Sequence, residues 1–121
     1  DVRRQWLADM ARFEAIFDGC GRIAREARQA IETGDVSQVG RLMDENHHLL
    51  QEMTVSSREL DGLVLAARAT GALGAKLSGA GRGGNMIALV SDEAETAVRR
   101  ALLQAGARSV LTSRLPQTNR P

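Results

Sequence analysis

The groups best suited to holding a phosphate or another anion fall in one run, Lys76-Leu77-Ser78-Gly79-Ala80-Gly81-Arg82-Gly83-Gly84. Gly79, Gly81 and Gly84 satisfy the spacing G-x-G-x-x-G, and backbones without Cβ let successive N–H groups approach an anion or another loop closely. The spacing by itself is a weak signal, and its context excludes three familiar uses. A dinucleotide fingerprint must open a helix, whereas Asn85-Met86-Ile87-Ala88-Leu89-Val90 is an apolar run of β character. A protein-kinase glycine loop needs a lysine on the following strand together with catalytic-loop and metal-binding motifs, and none follows. No Gly-Lys pair occurs, so there is no P-loop of the G-x-x-x-x-G-K-[ST] type. Lys76 is the only lysine in a chain of 16 basic residues, which invites a functional reading beside the plainer one of a strand-edge lysine.

Other candidate chemistry is thinner. Asp44-Glu45-Asn46-His47-His48 is the one place where a metal could be proposed, but adjacent helical residues point about 100° apart and the i,i+4 histidine pair of a zinc helix is missing. A structural or substrate-side polar cluster is the better reading, and no metal ligand is assigned. Cys20 lies on a helical stripe and reads as an inert buried thiol. Neither order nor spacing suggests a Ser/His/Asp or Cys/His relay.

These groups need elements to hold them. Residues 75–78 and 86–90 read as two strands around the glycine run, which predicts an antiparallel hairpin over 75–90. Upstream, Trp6, Met10, Phe13, Phe17, Cys20, Ala24, Ala27 and Ile31 recur at spacings of four and three, predicting one long amphipathic helix with that stripe in the core. Gly19 and Gly21 inside it suggest a bend or a close helix crossing. Gly34 is placed to end it, and Asp35 to Gln38 reads as a capping box for a second helix running to about Met53. Its apolar side is expected to carry Val36, Val39, Leu42, Met43, Asn46, Leu49, Leu50 and Met53. Ser56 to Glu59 reads as the cap of a third helix ending before Gly71, and Asp92 to Glu95 as the cap of a fourth, closed by Gly106. Residues 108–113 are expected to return as a third strand, and 115–121 to be a polar tail. The fold class is then α+β, with helices packed on one face of a small antiparallel sheet.

Composition sets the outer limits. The chain has 121 residues, 43% hydrophobic and 26% charged, which is one domain's worth. A net charge of +1 and 2% aromatic residues leave no electrostatic or stacking footprint for nucleic acid. No apolar run approaches bilayer length, no secretory signal is visible, and one cysteine rules out an internal disulfide, so a cytoplasmic setting is expected. The start at Asp1, without an initiator methionine, suggests a piece of a longer protein.

The run from Lys76 to Asn85, followed by an apolar strand, resembles the third conserved motif of the GHMP kinases, in the form typical of mevalonate kinases. Leu42-Met43-Asp44-Glu45-Asn46-His47, Leu49-Leu50, Val55-Ser56 and Leu60-Asp61-Gly62-Leu63 resemble the same family in the same order. Arg82 and Asn85 depart from it, standing where glycine and cysteine are usual. The resemblance implies a ferredoxin-like GHMP kinase C-terminal domain over residues 1–114, with 115–121 as a flexible tail. It also implies an absent N-terminal domain carrying the ATP-binding loop, the Mg2+ ligand and the catalytic residues, so that no catalytic residue is expected here. Lys76, Ser78, Gly79, Ala80, Gly81, Arg82, Gly83 and Gly84 would line the nucleotide or substrate cleft. Ser78 would hydrogen-bond a phosphate or the neighbouring loop, and Lys76 or Arg82 would add charge. The implied partners are the chain's own N-terminal domain, ATP with Mg2+ and the acceptor mevalonate, with a homodimer possible and neither nucleic acid nor membrane expected. Galactokinase, phosphomevalonate kinase and homoserine kinase types carry variants of the same loop. A non-catalytic ferredoxin-like binding or dimerisation module is the reading from a different class.

Overall fold

Alternation settles the hairpin at the centre of the domain. The structure, a computed structural model, describes residues 2–53, 56–78 and 84–114, without the side chains of residues 2, 3, 5 and 6. Along it run α1 (Val2–Thr33), α2 (Val36–Glu52), α3 (Arg58–Ala69), β1 (Gly74–Ser78), β2 (Asn85–Leu89) and α4 (Glu95–Gln104). The two strands pair antiparallel, Gly74 opposite Leu89 and Ser78 opposite Asn85, so the predicted hairpin forms. Side chains of period two divide between its faces. Ala75, Met86 and Ala88 turn toward α3 and α4, where Val64, Ala67, Val98 and Leu102 complete the core. Lys76 and Ile87, opposite one another, take the other face.

Helices α3 and α4 cover one face of the hairpin, α2 lies beside β1, and α1 packs on α2. Local chemistry sets most of their ends. Asp35 caps α2 by accepting the Gln38 N–H at 3.1 Å. Gly34, Gly71 and Gly106 hold positive φ values of 76°, 114° and 113°, the left-handed conformation that closes α1, α3 and α4. Two caps differ from expectation. Ser57, not Ser56, caps α3 by accepting the Leu60 N–H, which releases Ser56 for another bond. Helix α4 starts at Glu95 behind Ala94 with no side-chain cap, and Asp92 pairs with Arg114 instead.

The apolar stripe of α1 also differs. Ile16, Ile23 and Ala30 are buried, whereas Met10, Phe17 and Ile31 are exposed. The buried three are spaced by seven, the repeat of a seam against one neighbouring helix. That neighbour, α2, has 17 residues against 32 in α1, so it covers a narrow strip and leaves the flanking apolar residues in solvent. Trp6 lies outside the described side chains. At the crossing, a Cβ on Gly19 would meet Leu49 Cδ1 at 3.0 Å, so Gly19 serves close approach and α1 runs on unbroken. Cys20 is half-buried, not enclosed, and its Sγ accepts from Asn46 Nδ2 at 3.5 Å.

Residues 108–113 do not form the expected third strand; the sheet of the described residues has two strands. Val110 packs against the α3/α4 core while Leu111 is exposed, and the segment contributes no ladder. Among the described residues no helix is long and apolar enough to cross a membrane.

Candidate functional site

The hairpin brings Ser78 and Gly84 to the same end of the two strands, with Lys76 two residues back on β1. Ser78 and Asn85 are opposite one another, so the residues between them form the connection. Gly79, Ala80, Gly81, Arg82 and Gly83 lie outside the described residues, and the expectations placed on them stand as proposals below. Ser78 and Gly84 are both half-buried at the base of the connection.

Lys76 enters a pocket of about 230 Å³ between α1, α2 and β1, walled by Ile23, Ala24, Val39, Leu42 and Met43, with Cys20 and Asn46 as its polar members. Burial holds the ammonium below the ordinary lysine range, and the nearby Cys20 opposes this only in part. Period two sets Lys76 and Ser78 on the same face of β1.

Beside β1 the structure assembles a polar cluster that spacing did not reveal. One edge of β1 pairs with β2; the other would leave the N–H groups of Ala75 and Leu77 without partners. Helix α2 supplies both acceptors. Asp44 Oδ1 accepts from Ala75 at 2.9 Å, and His47 Nδ1 accepts from Leu77 at 3.0 Å. Each acceptor is braced in turn. Arg68 on α3 donates to Asp44 at 2.7 Å and to the Ala75 carbonyl at 3.1 Å, gripping strand and helix together. His47 Nε2 faces Asp61 Oδ1 at 2.9 Å, and that oxygen also accepts from Ser56 at 2.7 Å. Because Nδ1 must accept, the proton belongs on Nε2, which donates to the carboxylate. Burial pushes the Asp61 carboxyl up, but the hydrogen bonds from Ser56, Gln51 and His47 together outweigh it and hold the group below the ordinary aspartate range.

Serine, aspartate and histidine therefore do come together, yet not as a nucleophilic relay. Ser56 donates to Asp61, and the far nitrogen of the imidazole is occupied by a backbone amide. Nothing is left to deprotonate. His47 is 1% exposed while the side chain of His48 is 70% exposed and reaches Glu52, the divergence that adjacent helical positions impose. The cluster has a sequence signature in hindsight: Gly40, Asp44 and His47 fall at spacings of four and three, one face of α2 that is small, then polar, then polar. Such a face fits a backbone that comes close and needs acceptors.

Among the described residues no three His, Cys, Asp or Glu side chains form a group able to hold a metal ion. Asp44 and Asp61, beside β1, are engaged with Arg68, Ala75, His47 and Ser56, so they do not fit as a Mg2+ ligand set and no step is assigned to a metal on this chain.

Comparison with known proteins bears on this geometry. The family model described as GHMP kinases C terminal matches residues 27–108, more than half of the chain. The mevalonate kinase of Thermococcus onnurineus is 40% identical over 116 residues, covering 92% of this chain and 34% of that protein. That of Aeropyrum pernix is 46% identical over 77 residues, covering 64% of this chain and 24% of its own length. Among solved structures, L. major mevalonate kinase in complex with R-mevalonate superposes with a TM-score of 0.76 at 39% identity, over 86% of this chain and 32% of that one. Mevalonate kinase from methicillin-resistant Staphylococcus aureus gives 0.69 at 28% identity, over 81% and 34%. The chain spans about a third of the length of the curated relatives it matches.

Proposed function

This chain belongs to the GHMP kinase C-terminal family, and from that premise we propose that it is the C-terminal domain of a mevalonate kinase. The complete protein transfers the γ-phosphoryl group of ATP to the primary alcohol of mevalonate, forming 5-phosphomevalonate for isoprenoid biosynthesis in the cytoplasm. The observation that carries this reading is the likeness to mevalonate kinases along nearly the whole chain, hairpin included.

In this reading the run from Gly79 to Gly84 lies at the cleft between two domains and offers backbone N–H groups to the triphosphate and the acceptor. Phosphoryl transfer is mostly positioning and charge stabilisation, and glycine backbones allow close approach without side chains in the way. Ser78 contributes a hydroxyl, and Lys76 and Arg82 contribute charge. The partner is the chain's own N-terminal domain, which supplies the phosphate loop, the Mg2+ ligands and the catalytic groups. The apolar side chains that α1 leaves exposed, Leu7, Met10 and Phe17, are surface such a domain would cover, and without it a homodimer is the expected compensation.

The test is direct. The complete protein, incubated with Mg·ATP and mevalonate, should form phosphomevalonate, and these 121 residues alone should form none. Gly81→Val in the complete protein should abolish turnover while the domain stays folded. Phosphorylation of galactose, phosphomevalonate or homoserine in place of mevalonate would reassign the acceptor within the family. No phosphorylation of any of them would favour the non-catalytic module.

A further inference from the structure

We propose that His47, with Asp44 beside it on α2, is a positioning residue for phosphoryl transfer: the two side chains hold the free edge of β1 and so set where the strand ends and the glycine run begins. This inference rests on the kinase reading above.

The strand has two edges, and only one is held by its sheet partner. On the other, the N–H groups two residues apart at Ala75 and Leu77 meet acceptors three residues apart on α2. A helix advances about 4.5 Å over three residues and a strand about 6.6 Å over two, so one face of α2 can reach both amides. The second bond falls at Leu77, two residues before Gly79 and next to Ser78. Only Ser78 of β1 lies between that bond and the start of the run. The point at which the chain enters the run is therefore set by the last residues of β1.

The bracing around His47 suits this role. Asp61 accepts the hydrogen bond from Nε2–H and thereby keeps Nδ1 an acceptor, Ser56 holds Asp61, and the imidazole is buried. Arg68 does the same for Asp44 from α3. Three elements, α2, α3 and the segment before α3, thus converge on two backbone amides of one five-residue strand. A polar network of that size inside a small domain is costly unless satisfied, and here no buried side-chain polar atom among the described residues lacks a partner.

Two substitutions of equal polarity separate positioning from simple burial. In asparagine, Oδ1 stands three bonds from Cα, as Nδ1 does in histidine, so His47→Asn keeps an acceptor for Leu77. In glutamine the polar atoms stand one bond further out, at the place of Nε2, so His47→Gln keeps a partner for Asp61 and loses the one for Leu77. In the complete protein we expect kcat to fall at least about tenfold in His47→Gln and to stay within about threefold in His47→Asn, with KM for mevalonate little changed in both. Hydrogen exchange at the Leu77 amide should quicken only in the glutamine variant. Equal kcat values in two folded variants, or the reverse order, would overturn the positioning role; so would unchanged exchange at Leu77. If His47→Gln fails to fold, Asp44→Ala against Asp44→Asn makes the same comparison at Ala75, with the same expected order. An inactive wild-type protein whose Ala75 and Leu77 amides are protected would refute the kinase reading and the catalytic half of this inference with it. An active wild type with indistinguishable variants would refute the positioning role alone.

Discussion

Where α2 crosses β1, two glycine backbones meet, and one methyl group on either measures how tightly the helix must sit. A Cβ on Gly40 would lie 2.2 Å from the Leu73 carbonyl oxygen and 2.5 Å from its carbon. A Cβ on Gly74 would lie 2.1 Å from the Gly40 carbonyl oxygen. The obstacles are backbone, so no rotamer change relieves them. Ordinary contact begins near 3.5 Å, so Gly40→Ala has to open the α2/β1 spacing by roughly 1 Å. The hydrogen bonds from Ala75 to Asp44 and from Leu77 to His47 measure 2.9 and 3.0 Å, and stretching either by that amount ends it. Overpacking costs about 1–3 kcal/mol and each stranded buried amide about 1–3 kcal/mol. Against this, alanine in a helix interior gains only about 1 kcal/mol over glycine. The expected net loss is about 2–8 kcal/mol, a large share of the roughly 5–15 kcal/mol that holds a typical domain together. Urea unfolding is the assay, and at this chain length the melting temperature should fall by more than about 10 °C. Because the two glycines oppose one another, the losses from Gly40→Ala and Gly74→Ala should not add. Gly62 in α3 is the control: its Cβ would meet nothing within 4 Å, so Gly62→Ala should stabilise by about 0.5–1 kcal/mol. A loss below about 1 kcal/mol for Gly40→Ala would refute the reasoning, since it would mean that α2 moves off β1 without losing its bonds.

Two further outcomes are expected. Burial lowers the Lys76 ammonium below the ordinary lysine value, so the charged form is penalised in the folded state at neutral pH and relieved as pH rises toward the unfolded value near about 10.4. Lys76→Met should therefore unfold at higher urea than wild type at pH 7, with the gap shrinking by pH 10, and turnover of the complete protein should fall if Lys76 charges the cleft. Asp61 is held below the ordinary aspartate value, so its contribution is present above about pH 4 and lost as pH falls through the folded value. Comparing urea midpoints at pH 6 and pH 3, Asp61→Asn should lose less on acidification than wild type; parallel losses would show that the carboxylate is not held by its three donors.

Much of this domain is legible in the sequence because its signals are local. A hairpin follows from two β-prone runs around glycines, and it forms with the paired strands at Gly74–Ser78 and Asn85–Leu89. Helix ends at Gly34, Gly71 and Gly106 follow from glycine's tolerance of positive φ, and the α2 cap from a carboxylate three residues before a backbone N–H. The motif residues from Lys76 to Gly84 are read directly, although the structure speaks only to Lys76, Leu77, Ser78 and Gly84 among them.

Decisions between equals were left to tertiary structure. Helix α1 carries apolar side chains on more of its circumference than one neighbour can cover, so periodicity alone cannot say that Ile16, Ile23 and Ala30 are buried and Phe17 is not; the position of α2 does. Ser56 and Ser57 are chemically equivalent caps, and the reach from Ser56 to Asp61 assigns their roles. Residues 108–113 have strand-like composition, but a strand exists only where an edge receives it, and Val110 meets helices instead. His47 is the clearest case. Its two partners lie 14 and 30 residues away, and no local spacing connects them. An imidazole becomes a brace for a strand only when chain folding brings a carboxylate to one nitrogen and an unpaired backbone amide to the other.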